Sequence, residues 1–355
     1  MPETHVVRLE PIGVEFDVEE GETVLDAAFR QGISLPHGCK EGQCSACKCN
    51  LLEGDVELLK YSTFALSDGE REQGGILLCR SLAQEDLVVE LLNFDEELLS
   101  KSIAVKDFKG KITAKDSLTH DIRSIEIALE SPIKFWAGQY VDITVRTEDG
   151  EEITRSFSMA NTPDQTEKLK FIIKKYPDGK FSSELDSGGI KIGASVKVRG
   201  PYGSCFRREN RTGAVVLVAA GSGMSPIWSI LHDHIASGED RPVHFFYGAR
   251  SQADLFHLED IRAITDANPS ITFIPVLSHA QDDAGWNGAR GFVHEVVASE
   301  LKRLGIETDG DAYACGPPPM IDALMPVLFM QDFDTDRTFF DRFTPSTAKA
   351  PAKTH

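Results

Sequence analysis

Four of the chain's seven cysteines, Cys39, Cys44, Cys47 and Cys49, fall within eleven residues, and thirty-one residues separate Cys47 from Cys79, the next cysteine outside that group. Cys39-x4-Cys44-x2-Cys47 followed by a distant fourth cysteine is a spacing by which thiolates hold a [2Fe–2S] cluster. A loop that aims three thiolates at one cluster must bend tightly. Gly38, Gly42, Ser45 and Ala46 keep its side chains small, so the backbone comes close and its N–H groups can bond the sulfurs. A structural zinc site is the alternative, but zinc prefers paired C-x2–4-C knuckles and Cys79 has no near partner. Cys49, two positions past a ligand, reads as a small buried hydrophobe rather than a fifth ligand. An odd cysteine count and no mark of secretion argue against a disulfide framework.

Three further clusters have chemistry to offer. Gly221-Ser-Gly-Met-Ser-Pro226 follows the apolar run AVVLVAA and precedes a helical pattern, with Gly221, Gly223 and Met224 at the turn. Glycines there let a dinucleotide phosphate approach a helix N-terminus. Cys315-Gly316-Pro317 lies at the end of another apolar run, DAYACG. Arg155 in Arg155-Ser156-Phe157-Ser158 carries the planar fork that suits a phosphate.

The elements that position these residues separate by texture. Residues 1–97 hold alternating strands, a short helix in GETVLDAAFRQG, the cysteine loop, an acidic helical stretch near Ser67–Gln73 and the strands ILLC and DLVVELL. That content predicts a small α+β unit. Asn93–Ile103 reads as a linker. Residues 104–209 contain many short strands divided by turns, which predicts an antiparallel β-barrel or sandwich. In residues 212–343 buried-looking strands alternate with helices, which predicts a parallel α/β sheet. Residues 344–355 are small, polar and Pro-containing, and read as a disordered tail.

The net charge of −19, of which −14 falls in residues 1–100, repels nucleic acid and anionic membranes, so neither is expected as a partner. An acidic face can instead serve solubility or draw in a basic protein partner. No apolar run is long enough to span a bilayer and the start lacks a secretory pattern, so the expected location is the cytoplasm.

Residues 5–95, with GETVLDAA, the cysteine loop and ILLCRS, resemble the plant-type ferredoxins, which implies a β-grasp fold with Cys39, Cys44, Cys47 and Cys79 as cluster ligands. Arg155–Ser158, Phe135–Tyr140 and Gly200–Gly203 resemble landmarks of ferredoxin–NADP reductase-type flavin domains. That resemblance implies Arg155 on the flavin phosphate, Phe157 beside the isoalloxazine ring and Ser158 near its reactive nitrogen. Gly179-Lys180-Phe181-Ser182 matches the family's pyrophosphate element at a helix start, which favours FAD over FMN. Cys315-Gly316-Pro317 resembles the nicotinamide element, with the cysteine beside the hydride-giving carbon. Phe343 resembles the terminal aromatics that cover the flavin, although plain packing is an equal reading. Asp341 is a weaker candidate, and Cys205 reads as structural. The segment GARSQADLF, with Arg250, Ser251 and Asp254, resembles that of NADH-using members. The domain order looks like that of bacterial multicomponent oxygenase reductases. It implies transfer from NADH through FAD to the cluster and on to an oxygenase. Segments such as TRSFSMANTP and FFDRFTPS look most like reductases of soluble diiron monooxygenases. Reductases of Rieske ring-hydroxylating dioxygenases and a stand-alone NADH:acceptor oxidoreductase remain alternatives.

Overall fold

Period-two alternation along Thr4–Glu10 (β1) and Val14–Glu19 (β2) sends Val7, Leu9, Phe16 and Val18 inward, and the two strands pair antiparallel. This computed structural model describes residues 4–92, 94–147, 150–177, 179–280, 285–305 and 309–344. The described residues of 1–106 and 200–204 form one compact unit, and those of 107–199 and 205–355 form a second.

In the first unit α1 (Val24–Arg30) starts at Thr23, whose side chain accepts the Asp26 N–H, and it buries Val24, Leu25, Ala27, Ala28 and Phe29. The chain continues through β3 (Lys48–Glu53), β4 (Val56–Leu58), α2 (Asp68–Glu72), β5 (Gly75–Leu77), β6 (Ser81–Ala83) and β7 (Leu87–Leu91). Five strands form a mixed sheet in the order β2-β1-β7-β3-β5, with β1 and β7 parallel at its centre. A sheet gripping one helix is the expected β-grasp arrangement. Ser67 and Glu70 close α2 with a reciprocal capping box, as the acidic stretch predicts. The segment read as a linker is not featureless. Asp95 caps a short helix, α3 (Glu96–Ser100), whose Leu98 is buried, while Asn93 lies outside the described residues.

The chain next builds a six-stranded antiparallel sheet: β8 (Lys106–Ser117), β9 (Ile122–Leu129), β10 (Tyr140–Arg146), β11 (Glu152–Ser158), β12 (Lys168–Lys174) and β13 (Ser195–Tyr202). Its order is β11-β10-β13-β8-β9-β12, and pairing of Met159 with Phe171 joins the outer strands into a barrel. Ile125, Ile127, Val141, Ile143 and Phe171 fill the interior, and α4 (Lys180–Ser187) adds Phe181 and Leu185 to the same core.

A six-stranded parallel sheet follows. Its elements are β14 (Val215–Ala220), α5 (Met224–Ser237), β15 (Val243–Ala249), α6 (Leu258–Ala267), β16 (Ile271–Leu277), β17 (Ala289–Arg290), α7 (Val293–Leu304), β18 (Asp311–Gly316), α8 (Pro318–Met330) and β19 (Thr338–Arg342). The order β17-β16-β15-β14-β18-β19 reverses direction between β14 and β18, the switch point where such sheets open a crevice for ligands. Both faces of β14 are covered, Leu217 and Ala219 on one side and Val216 and Val218 on the other, which explains its unbroken apolar run. The fully buried Asp311 at the start of β18 is held between Arg241 at 2.6 Å and Arg337 at 2.9 Å. Removing one side of such a buried pair costs about 3–5 kcal/mol. Of the tail expected at 344–355, Thr344 is described, its N–H bonded to Arg342 O at 3.0 Å. The rest lies outside the described residues.

Burial gives this parallel lobe a pH dependence. His232, His234, His244 and His257 are all held below 6.5 chiefly by burial. The unfolded chain therefore binds more protons than the folded one below about pH 6.5, and their share of stability is lost as pH falls through their lowered values. Asp341 acts oppositely: burial pushes it up to about 6, so its share is present at low pH and lost as pH rises through about 6. Four histidines outweigh one carboxyl, and the thermal midpoint should fall by several degrees between pH 7.5 and 5.5. A midpoint flat across that window in differential scanning calorimetry would contradict this balance.

Candidate functional site

The cysteine loop runs between α1 and β3. Lys40, Ser45 and Gly42 all have positive φ, at 56°, 56° and 70°, so the backbone coils tightly there. A side chain at Gly42 would press on Arg80 and Tyr61, each 2.8 Å from its Cβ, and one at Gly38 would come within 2.9 Å of Cys44 Sγ. The coil turns N–H groups onto sulfur. Cys39 N–H donates to Cys44 Sγ at 3.2 Å, while Glu41 and Gln43 donate to Cys39 Sγ at 3.4 and 3.2 Å. Pairing of Lys48 with Leu77, and the Leu78 N–H bond to Cys47 O at 3.1 Å, bring Cys79 to Cys47.

The four thiols thus assemble as two couples, Cys39 with Cys44 and Cys47 with Cys79. The hydrogen bond from Cys44, helped by the backbone donors, draws Cys39 down to about 5, and Cys44 and Cys79 are pushed up by their partners. A single tetrahedral zinc, with Zn–S about 2.3 Å, would gather all four sulfurs within roughly 3.8 Å of one another. Among the described residues no three of them lie within 4.8 Å of one another. Two couples side by side are what a pair of bridged irons requires. Cys49 stands apart, buried and pushed up to about 12 by that burial.

In the barrel, Arg155 pairs across β10 with Ile143, Phe157 with Val141 and Ser158 with Tyr140. Alternation puts Arg155 and Phe157 on one face and Ser156 and Ser158 on the other. Arg155 donates to Thr154 O at 2.7 Å, and Ser156 donates to Asp142 at 2.6 Å. Phe157 packs on Phe181 with ring centroids 4.8 Å apart, so the Arg155 strand and the Gly179–Ser182 helix start are neighbours. Gly179 caps α4 without a side chain to offer its first-turn N–H groups, which leaves an anion-ready helix start. Ser182 steadies that turn, accepting from Tyr176 N at 3.3 Å and donating to Gly179 O at 3.1 Å. Lys180 reaches Glu151 at 2.5 Å. An arginine on a strand beside an uncapped glycine turn fits a flavin dinucleotide's phosphates.

At the switch point, Ala219 of β14 is in register with Cys315 of β18. Gly221–Gly223 form a single 3-10 turn and Met224 opens α5. A Cβ on Gly223 would run into the carbonyl oxygen of Cys315 and stand 2.9 Å from Gly316 N, so only glycine lets the two strand ends lie this close. Pro317 caps α8, and Phe343 N–H donates to Gly316 O at 2.9 Å. Asp341 pairs with Cys315 across β18 and β19. Burial first, and then Cys205, push the Cys315 thiol well up, so it is neutral. After β15, Ser251 and Asp254 close a small turn on each other at 2.8 Å, which leaves a carboxylate just past the end of that strand.

The sequence did not single out two connections here. Ser225 donates to Ser158 O at 2.7 Å and accepts from Ile172 N at 3.3 Å, tying the start of α5 to the end of β11. Cys205, expected to be merely structural, stands with its sulfur 3.9 Å from that of Cys315. Ser225 was visible within the glycine motif, whereas nothing local to Cys205 pointed to Cys315.

Comparison with known proteins agrees with this geometry. The family model for the 2Fe-2S iron-sulfur cluster binding domain matches residues 7–84. The oxidoreductase FAD-binding and NAD-binding domain models match residues 109–206 and 217–325. The chain is 42% identical to the propane 2-monooxygenase reductase component of Mycolicibacterium goodii, over 97% of this chain and 98% of that one. It is 35% identical to the phenol 2-monooxygenase reductase component DmpP of Pseudomonas sp. (strain CF600), over 95% and 94%. Among solved structures, the Amycolatopsis cytochrome P450 reductase GcoB superposes with a TM-score of 0.84 at 27% identity, covering 96% of this chain and 99% of that one. Among the described residues no helix is long and apolar enough to cross a membrane. The chain belongs to the family of monooxygenase reductase components, as an NADH-dependent oxidoreductase that binds FAD and a [2Fe–2S] cluster.

Proposed function

We propose that this chain delivers electrons from NADH to the hydroxylase of a soluble diiron monooxygenase acting on a hydrocarbon, phenol or cyclic ether, in the cytoplasm. The observation that carries the choice is the identity pattern. The chain is 42% identical to a propane 2-monooxygenase reductase component, against 29% to a reductase component of naphthalene 1,2-dioxygenase/salicylate 5-hydroxylase systems from Ralstonia sp. Bound FAD supplies the exchange between two-electron nicotinamide chemistry and one-electron iron–sulfur chemistry.

The residues divide that labour. Cys39 and Cys44 would hold one iron, and Cys47 and Cys79 the other. Arg155 would clamp a flavin phosphate, and the N–H groups of Gly179–Ser182 the pyrophosphate. Phe157 would flank the isoalloxazine ring, and Ser158 would place its hydroxyl at the reactive nitrogen. Ser156, already bonded to Asp142, would stiffen that strand. The Gly221–Met224 turn would admit the NADH phosphates, and Cys315, Gly316 and Pro317 would seat the nicotinamide. Phe343, fastened to Gly316, would cover the flavin. The domain division 1–97, 104–209 and 212–343 follows the same roles.

Arg155→Ala should weaken FAD retention by about tenfold or more, the worth of one charge-assisted pair. Gel filtration followed by flavin fluorescence reads it, and full occupancy after the column would remove Arg155 from the phosphate. The proposal as a whole is tested by an anaerobic NADH titration followed by mixing with purified propane and naphthalene oxygenase components. Cluster reoxidation by the diiron hydroxylase alone is expected. Faster reoxidation by the Rieske component would reassign the partner.

A further inference from the structure

Cys205 leaves the barrel just after β13, and Cys315 lies one residue before the end of β18, 110 positions later. Their sulfurs stand 3.9 Å apart, with Cys205 only 5% exposed and Cys315 fully buried. Neither belongs to the cluster loop.

Both backbones are pinned from behind. Gly138, at φ 107°, lies where a Cβ would strike the carbonyl oxygen of Cys205, and Gly223 does the same behind Cys315. Arg207 N–H bonds Ala137 O at 2.9 Å, and Arg208 N–H bonds the Tyr313 hydroxyl at 2.8 Å. The residues on either side are therefore held, and a disulfide needs the sulfurs to close from 3.9 Å to about 2 Å.

We propose that Cys205 and Cys315 form a peroxide-sensitive dithiol, and that its closure to a disulfide shuts NADH out of the flavin site. The effect on NADH rests on the reading that Cys315 seats the nicotinamide. Cys205, the more exposed, meets the peroxide first. Its sulfur takes one oxygen, the O–O bond breaks, and a sulfenic acid and one water result. The Cys315 sulfur then displaces the sulfenic oxygen, which leaves as a second water. Two S–H bonds and one O–O bond are broken, one S–S and two O–H bonds are formed, and two electrons pass from the sulfurs to the peroxide. A dithiol reductant returns those electrons and reopens the pair. Both sulfurs lie out of the solvent, so closure is slow and answers to sustained peroxide rather than to a passing exposure.

The test uses the holoprotein, treated with hydrogen peroxide, alkylated, digested and analysed by mass spectrometry without reduction. NADH–ferricyanide activity, which needs flavin but not cluster, is followed in parallel, and cluster damage is read separately as bleaching. A 205–315 linked peptide is expected. Activity should fall by about tenfold or more, because a displaced seating group costs at least that, and dithiothreitol should restore it. Cys205→Ser should start with ordinary activity and keep it under peroxide. No linked peptide in wild-type protein, or equal loss in Cys205→Ser, would overturn the dithiol. A linked peptide with undiminished activity would instead remove Cys315 from the nicotinamide site, and the switch with it.

Discussion

Cys44→Ser protein should reduce ferricyanide with NADH at a rate within about twofold of wild type, yet pass electrons to the hydroxylase at least about 100-fold more slowly. Cys44 belongs to one of the two sulfur couples, and a serine hydroxyl is a harder, less acidic ligand that abandons one iron. It also receives the Cys39 N–H bond, so the loop loses one of the contacts that shape it. The residues proposed for flavin and nicotinamide lie in the other compact unit, with its own buried cores. Electron paramagnetic resonance of the dithionite-reduced variant should show no cluster signal. If ferricyanide reduction collapsed as well, the two halves of the reaction would not be separable in the way the cores suggest.

Gly223→Ala should be the most damaging single methyl group in the chain for NADH. Its Cβ meets backbone rather than a pliant side chain, so the end of β18 must shift or the α5 turn must open. Overpacking of this kind costs about 1–3 kcal/mol, and a displacement near 1 Å at a reacting centre costs about 100-fold in rate. Stopped-flow bleaching of the flavin by NADH should slow by about that factor while the flavin and cluster spectra stay intact. An unchanged rate would show that the glycine turn does not govern where the nicotinamide sits.

Much of this was legible in the sequence because the constraints were local. The cysteine spacing implied a cluster without any coordinates, and the unbroken run Val215–Ala220 implied a strand covered on both faces. The coupling of Cys39 to Cys44 and of Cys47 to Cys79 was not legible, since spacing says which thiols converge and not which share an iron. The helix Glu96–Ser100 was missed because five residues with one buried leucine leave no periodicity to detect. The meeting of Cys205 with Cys315 was hidden for a different reason. It depends on where a barrel strand exits and where a parallel strand ends, and those two points are set by packing on the glycines rather than by any pattern in the residues between.

The hydroxyl of Ser225 on the carbonyl of Ser158, and that of Ser229 on the carbonyl of Asn161 at 2.7 Å, cross the boundary between the two lobes of the larger unit. So does the Arg208 bond to Tyr313. An engineer wishing to transplant a nicotinamide lobe from a relative would naturally cut near residue 210, where the texture of the chain changes. Such a chimera would keep a barrel whose carbonyls at Ser158 and Asn161 had lost their serine donors. The transplantable piece is barrel and parallel sheet together, and evolution by exchange of parts would have faced the same seam.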